Sequence, residues 1–273
     1  MLLLAVNVAS AFVISPIMVR ELGNTGYGVW EVLFGIVGYL GLLDLGVGPA
    51  IVRFVARAKG SADNDELRRI ASSCFPFLTG VGILGGAVLG FVALRADFFF
   101  NVDRGAIPDL TAAVAVVALS VAIEFPASLV VAHLMGTQRH YFLNASKILL
   151  TVAQTVGFYF VLLHSANAKL LGIAMVLLAY SLIHTAAITV FVRVTDRDFV
   201  VSRRYFSWRV LRDMYGFGIK NMVLMMAQRL RKQTMSIVIA HVLGVAHVVF
   251  FAIPGRLVEY ANSLALAMGF PLT

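Results

Sequence analysis

The amino-acid sequence predicts an all-α protein, a polytopic transmembrane bundle of about eight helices. Of its 273 residues, 60% are hydrophobic and only 13% are charged, and the mean hydropathy is +0.90. A soluble domain has about 45–50% apolar and about 25% charged residues, so water is not the main solvent of this chain. Apolar runs of about 20 residues recur along the whole length, which is enough for a helix to cross a hydrocarbon core of about 30 Å. Strands of a membrane barrel would alternate in short segments instead, so helices are favoured.

Eight apolar runs, separated by charged or turn-rich breaks, are the predicted helices. In chain order they cover residues 2–19, 27–54, 70–94, 108–134, 142–163, 170–192, 217–242 and 248–270. The first run has neither the cationic leader nor the small-residue cleavage site of a signal peptide, so we interpret it as helix one. In helix three, Gly82, Gly86 and Gly90 form a stripe of small residues that favours close packing against a neighbouring helix.

The order of the helices predicts three parts. Residues 1–193 form a six-helix transmembrane lobe, residues 194–216 a cytoplasmic linker, and residues 217–273 the first two helices of a second lobe. The bases and apolar residues of the linker are typical of an amphipathic helix lying on the inner leaflet, although a plain solvated loop is the alternative. The chain ends directly after helix eight, so we expect it to be a piece of a longer protein.

Lysine and arginine are distributed unevenly between the two sides of the predicted bundle. The even-numbered connections hold fourteen of them, whereas the odd-numbered connections hold only Arg20, Arg95, Arg104 and Lys169. Because cationic loops resist translocation, the even-numbered connections and the amino terminus are predicted to be cytoplasmic. These positions also account for the net charge of +8, so the charge does not indicate a nucleic-acid partner.

A weak internal repeat links the two ends of the chain. Helix one runs into Leu22-Gly23, and helix seven runs into Leu243-Gly244, 221 residues later. An offset of six helices is what two similarly oriented six-helix lobes produce. The repeat predicts a turn at Gly244. In the alternative interpretation, the polar residues 228–233 end a cytoplasmic loop, and residues 234–253 form a single span.

Two stretches near the amino terminus carry a resemblance to a known family. Residues 22–30 are LGNTGYGVW, and residues 38–53 are GYLGLLDLGVGPAIVR. They resemble the opening two helices of the polysaccharide exporters, or Wzx-like oligosaccharide flippases, of the MATE/MOP superfamily. The segment from Asp63 to Arg69 and the passage from Gly244 into helix eight are similar to that family as well. Such proteins have 12 to 14 helices in two lobes, so this chain would supply one lobe and the first helix pair of the next.

The resemblance implies a function and a location. It implies movement of an undecaprenyl-diphosphate-linked oligosaccharide from the inner to the outer leaflet of the bacterial inner membrane, for assembly of O-antigen, capsule or exopolysaccharide. It suggests the lipid bilayer, a polysaccharide polymerase and glycosyltransferases as partners, and it implies no cofactor. The chain has no GxxxxGK, GxSxG or HExxH motif, so an enzyme is not predicted. Its single cysteine excludes an internal disulfide.

An anionic glycolipid needs cations inside the membrane, and four candidates lie in helices seven and eight. Arg229, Arg231 and Lys232 fall roughly 12 to 15 residues after helix seven begins, which is near mid-membrane at 1.5 Å per residue. Arg256 in helix eight is a candidate phosphate contact, although an ion pair with Glu259, one turn away, is an equal alternative. Two further candidates lie at helix ends, where anchoring at the headgroups is the simpler interpretation. They are Arg53 and Arg20.

Acids inside the predicted spans are candidates for coupling transport to a proton or sodium ion, because a charged group facing lipid is costly. Glu124 precedes Pro126, where a broken helix could admit water. The other three acids are Glu31, Asp44 and Glu259. The alternative functions that stay open are a multidrug or cation antiporter of the same superfamily, which should favour acids over cations in its cavity, and a non-transporting membrane scaffold.

Overall fold

A computed structural model describes residues 2–43, 46–100, 107, 109–165 and 168–269. Within these ranges it gives the backbone but not the side chains of residues 97, 217, 219–225, 227–229, 231–233 and 263–269. The regular elements of the described part are all helical, which confirms the predicted all-α class.

Nine α-helices follow one another in the described part of the chain. They are α1 Leu2–Leu40, α2 Val47–Gly60, α3 Asn64–Leu94, α4 Ala96–Phe100, α5 Leu110–Gly136, α6 His140–His164, α7 Lys169–Thr195, α8 Trp208–Val242 and α9 Val248–Gly269. Predicted helices three to six correspond to α3, α5, α6 and α7, and predicted helices seven and eight correspond to α8 and α9.

Glycines decide where the first two predicted helices bend and break. Helix α1 contains a non-helical residue, Gly23, with φ of 69°, so its two arms correspond to predicted helix one and the first half of helix two. The predicted helix 27–54 is not continuous, because α1 ends at Leu40 and α2 starts at Val47 after Gly46 with φ of 73°. Glycine adopts positive φ without a Cβ penalty and weakens a helix interior, which explains the break. Pro49 is tolerated because it lies in the first turn of α2.

The long helices run alternately between two ends of the bundle. One end, here called the Gly23 end, also contains the connection from α6 to α7 and the turn before α9. The opposite end, here called the Asp196 end, contains the connections from α2 to α3, from α5 to α6 and from α7 to α8. Ion pairs at each end support this arrangement, since Lys169 contacts Glu21 at one end and Lys59 contacts Asp196 at the other, both at 2.8 Å.

Five helices of the described part are long and apolar enough to cross a membrane. They are α1, α3, α5, α6 and α7. Large apolar side chains also face outwards, for example Ile83, Phe91, Leu149 and Val190, each more than half exposed. Soluble monomers rarely expose apolar patches of this extent, whereas lipid accepts them at no cost. These observations support a multi-pass membrane protein.

Close packing of α3 against α5 depends on two of the three glycines in the predicted stripe. A Cβ atom at Gly82 would lie 2.6 Å from the carbonyl oxygen of Ala122, and one at Gly86 would lie 3.3 Å from that of Ala118. At Gly90 a Cβ atom would meet nothing within 4 Å. The predicted packing role therefore holds for Gly82 and Gly86 but not for Gly90.

The connection from α7 to α8 differs from the predicted amphipathic helix. Residues 196–207 are irregular apart from a 3-10 turn at Arg203–Tyr205, and α8 then runs without a break from Trp208 into predicted helix seven. Leu211 and Met214 are buried in a cluster with side chains of α2 and α3, and Tyr215 packs edge-on against Phe77 at 5.2 Å. These apolar side chains are therefore covered by protein, whereas Trp208 at the start of α8 is 73% exposed.

The chain turns between α8 and α9, as the repeat predicts. Helix α8 ends at Val242, Gly244 has φ of 92°, and α9 begins at Val248. The alternative single span over residues 234–253 is therefore wrong. The turn packs closely on α1, because a Cβ atom at Gly28 would lie 2.0 Å from the carbonyl oxygen of Val245.

Candidate functional site

The candidate site is a polar contact between α1 and α9 inside the bundle. The guanidinium of Arg256 on α9 forms an ion pair with the carboxylate of Glu31 on the second arm of α1. The same guanidinium donates a hydrogen bond of 3.3 Å to Ser15 Oγ on the first arm. It also lies 5.9 Å from the centre of the Tyr27 ring. One arginine therefore contacts both arms of the first helix.

This contact joins a predicted phosphate-binding cation to a predicted coupling acid. The sequence predicts that Arg256 binds phosphate or pairs with Glu259, and it makes Glu31 a candidate coupling acid. The structure pairs Arg256 with Glu31 across helices. The Glu31 side chain is 11% exposed and the Arg256 side chain 32% exposed, so the two charges are partly withdrawn from the surface. Pairing lowers the cost of holding either charge within the bilayer.

Other polar and aromatic contacts also join α1 to α8 and α9. The Tyr39 and Thr234 hydroxyls are hydrogen-bonded between α1 and α8. The rings of Phe12 and Tyr260 lie 5.8 Å apart, between α1 and α9. Together with the Gly28 contact, these interactions tie the two arms of α1 to the last two helices.

The remaining predicted cations lie apart from this site or outside the described part of the chain. The side chains of Arg229, Arg231 and Lys232 lie outside the described residues, so only their place in the backbone of α8 is known. Arg20 is 74% exposed at the Gly23 end and pairs with its neighbour Glu21 at 2.9 Å. An exposed cation at a helix end fits the anchoring interpretation.

Arg53, Glu124 and Glu259 lie at other positions in the described part of the chain. Arg53 is exposed on α2, towards the Asp196 end, and Glu259 is exposed on α9. Asp44 lies outside the described residues. Glu124 on α5 has the Ser181 hydroxyl of α7 beside its carboxylate and interacts electrostatically with Lys147 of α6. Glu124 is therefore part of a polar group between three helices.

The strongest polar cluster of the described part was not predicted from the sequence. The carboxylate of Asp196 is only 4% exposed, and its Oδ2 lies 2.8 Å from Lys59 Nζ and 3.0 Å from His133 Nε2. His133 is fully buried on α5 and stacks on Phe199 at 3.9 Å. No spacing signal in the sequence connects these three residues. Only the packing of α2, α5 and the end of α7 brings them together.

The fold defines a class of protein. Over 94% of this chain and 57% of the other, the structure superposes on a solved protein described as "Inward-facing conformation of a multidrug resistance MATE family transporter of the MOP superfamily", with a TM-score of 0.75 and 15% sequence identity. At that identity the likeness shows the fold alone. The fold is that of the membrane transporters of the MATE/MOP superfamily.

The family assignment comes from the sequence match. The model of the family described as "Polysaccharide biosynthesis protein" matches residues 1–270, and this chain belongs to that family. A curated relative, the "Putative O-antigen transporter" of Shigella flexneri, is 19% identical over 263 residues, which cover 92% of this chain and 59% of the relative. The chain thus spans about three fifths of the length of that relative.

Proposed function

We propose that this chain is part of a transporter that flips an undecaprenyl-diphosphate-linked oligosaccharide from the inner to the outer leaflet. The surface polysaccharide would be O-antigen, capsule or exopolysaccharide. The family match over residues 1–270 and the relative described as an O-antigen transporter support the substrate class. The observation that carries the chemistry is Arg256, a cation between α1 and α9 that pairs with the carboxylate of Glu31.

Arg256 is suited to a diphosphate because a guanidinium binds phosphate oxygens in a bidentate way, with two parallel hydrogen bonds. Glu31 compensates the charge of Arg256 when no substrate is bound, which lowers the cost of holding this cation in the bilayer. An arriving diphosphate competes with the Glu31 carboxylate for the same donors. The exchange loosens the contact between α1 and α9, and this is the contact that alternating access would have to open. Arg229, Arg231 and Lys232 would extend the cationic path along α8.

The orientation follows from the distribution of cations. The Asp196 end carries the arginine-rich connections, and we place it in the cytoplasm of a bacterium, with the protein in the inner membrane. A potential that is positive outside then favours outward movement of an anionic headgroup, by about 2.3 kcal/mol per charge per 100 mV. Coupling to a proton or sodium ion through Glu124, Asp44, Glu31 or Glu259 would add to that driving force. A polymerase and glycosyltransferases would be the natural protein partners.

The test is a flipping assay with the natural gene product in lipid vesicles that contain a fluorescent undecaprenyl-diphosphate oligosaccharide. We expect Arg256→Gln to slow flipping by at least about tenfold, because a charge-assisted contact to the diphosphate is lost. Arg95→Gln is the matched control, since Arg95 is an exposed cation between α3 and α4. Normal flipping by Arg256→Gln would refute the role given to Arg256.

The same vesicles separate the alternative functions. Transport of a cationic drug in place of the glycolipid would establish the multidrug antiporter. If neither substrate moves while the protein binds its pathway partners, the scaffold alternative is correct.

A further inference from the structure

A cavity of about 890 Å³ lies between α5 and α7 near the Asp196 end. Its wall is mainly apolar and includes Pro126 and Leu129 of α5, Val192 of α7 and Phe199 of the following segment. The cavity is at the upper end of the range of about 300–1,000 Å³ that is typical of ligand pockets. Its volume and apolar lining are suited to a hydrocarbon chain.

A second cavity of about 470 Å³ adjoins the first. Phe75 of α3 and Val201 belong to the lining of both, so these two side chains form the partition between them. Both partition residues are about two fifths exposed or more, so the partition reaches the surface of the described part of the chain. Two apolar cavities on either side of one partition match the two acyl chains of a single phospholipid.

Three arginines surround this pair of cavities. Arg193 and Arg197 line the first cavity, and Arg203 lines the second. All three are exposed, and within the described part of the chain their side chains form no ion pair and no hydrogen bond. Their charge is therefore available to an anion at the mouth of the cavities.

The acids next to these arginines are already paired with other cations. Asp196, which also lines the first cavity, is held by Lys59 and His133. Asp198 pairs with Arg68 at 2.8 Å. These two acids therefore do not neutralise the charge of Arg193, Arg197 and Arg203, which can attract an anionic ligand.

The segment that carries the rim is fixed by side chains of α3. Ser202 N donates to Ser72 Oγ at 3.0 Å, and Ser207 N donates to Ser73 Oγ at 2.9 Å. The Ser72 hydroxyl in turn donates to the carbonyl oxygen of Val200. A fixed segment loses little freedom when a ligand binds, so the site is preorganised.

We propose that the two cavities and the three arginines form a binding site for one anionic phospholipid of the leaflet at the Asp196 end. Its two acyl chains occupy the cavities on either side of Phe75 and Val201, and its phosphate contacts Arg193, Arg197 and Arg203. Basic pockets between transmembrane helices are suited to such headgroups. A single-chain polyprenyl phosphate would leave one cavity empty, so the paired cavities favour the phospholipid.

Native mass spectrometry of the purified protein tests the site, with phosphatidylglycerol and phosphatidylcholine of identical acyl chains as probes. We expect phosphatidylglycerol to bind more tightly, and the triple variant R193Q/R197Q/R203Q to weaken its binding by at least about tenfold. The matched control R204Q/R209Q/R212Q removes three exposed arginines at the same end that line neither cavity. We expect it to change binding by less than about twofold.

A second variant tests the cavities without changing charge. Thr189→Trp fills part of the first cavity, and we expect it to weaken binding of both phospholipids. The proposal is overturned if the two phospholipids bind equally, if both triple variants lose binding to the same extent, or if undecaprenyl phosphate displaces phosphatidylglycerol at equal concentration. Because lipid binding is measured without transport, its failure is distinguishable from failure of the flipping assay.

Discussion

Lys59 at the end of α2 and Asp196 just after α7 form an ion pair in which Nζ lies 2.8 Å from Oδ2. The same carboxylate contacts the buried His133 of α5, so one acid joins three separate parts of the bundle. The pair lies at the Asp196 end of the bundle, and Asp196 also lines the larger cavity.

Replacing Asp196 by alanine should destabilise the protein. The change leaves the ammonium of Lys59 and the imidazole of His133 without their acceptor, and we expect a loss of about 1–3 kcal/mol. The measurement is the thermal unfolding midpoint of the detergent-purified protein. Asp213→Ala removes an exposed acid with the same change in net charge and should leave the midpoint almost unchanged. Equal midpoints for the two variants would contradict the structural role of Asp196.

A double-mutant cycle on Glu31 and Arg256 should show that the two side chains act together. Removing either partner alone leaves a charge that is partly buried, whereas removing both leaves none. We therefore expect the double variant E31A/R256A to be less destabilised than the sum of the single variants, with a coupling of about 0.5–3 kcal/mol. Denaturant unfolding of the four proteins gives the coupling. Strict additivity would mean that the ion pair does not form in solution.

Gly28→Ala should be strongly destabilising although it adds only one methyl group. The new Cβ would lie 2.0 Å from the carbonyl oxygen of Val245, so the turn before α9 must move. We expect a cost of about 1–3 kcal/mol. Gly80→Ala is the control, because a Cβ there meets nothing within 4 Å and alanine favours a helix by up to about 1 kcal/mol. A thermal shift assay that ranks the two variants equally would show that α1 and the turn are not in contact.

Labelling of single cysteines should establish the orientation. We expect a membrane-impermeant maleimide to label Leu243→Cys in intact bacteria and to label Arg204→Cys only after the membrane is opened. Leu243 is 60% exposed at the Gly23 end, and the natural Cys74 is fully buried, so background labelling is low. The reverse labelling pattern would invert the proposed topology.

Glu124→Gln should change the energetics of transport without removing binding. The carboxylate lies beside Ser181 of α7 and interacts electrostatically with Lys147 of α6. If transport is ion-coupled, we expect the variant to flip the glycolipid at a rate that no longer responds to an imposed proton or sodium gradient. Asp213→Asn, outside the membrane-spanning part, should keep the wild-type response. A variant at Glu124 that keeps it too would exclude this acid.

The sequence predicted the succession of long helices well, because apolar length and charge placement are local properties. The bounds of α5, α6 and α7 lie within about three residues of the predicted runs. The break near Gly46 was missed, since a mainly apolar run gives no sign of where its backbone hydrogen bonds stop. The several glycines within that run were the available signal of a break in the helix, because glycine weakens a helix interior.

The candidate site was predicted in part. Sequence reasoning selected both Arg256 and Glu31 as charged residues inside spans, but it could not pair them, because the pairing depends on how α9 packs on α1. Asp196 was missed for a related reason. It stands in a charged connection, where an acid is ordinarily solvated, and only tertiary packing buries it against His133.

The contacts of residues 196–215 have a mechanical consequence. Ser73 fixes the chain at Ser207, and Phe77 holds Tyr215, so the first two turns of α8 are attached to α3. The remainder of α8 leaves that anchorage at Gly216, around which a Cβ atom would meet nothing within 4 Å. The base of α8 is thereby held against α3, and the glycine that follows this base has open space around it. We therefore expect a displacement of α9 to bend α8 at Gly216.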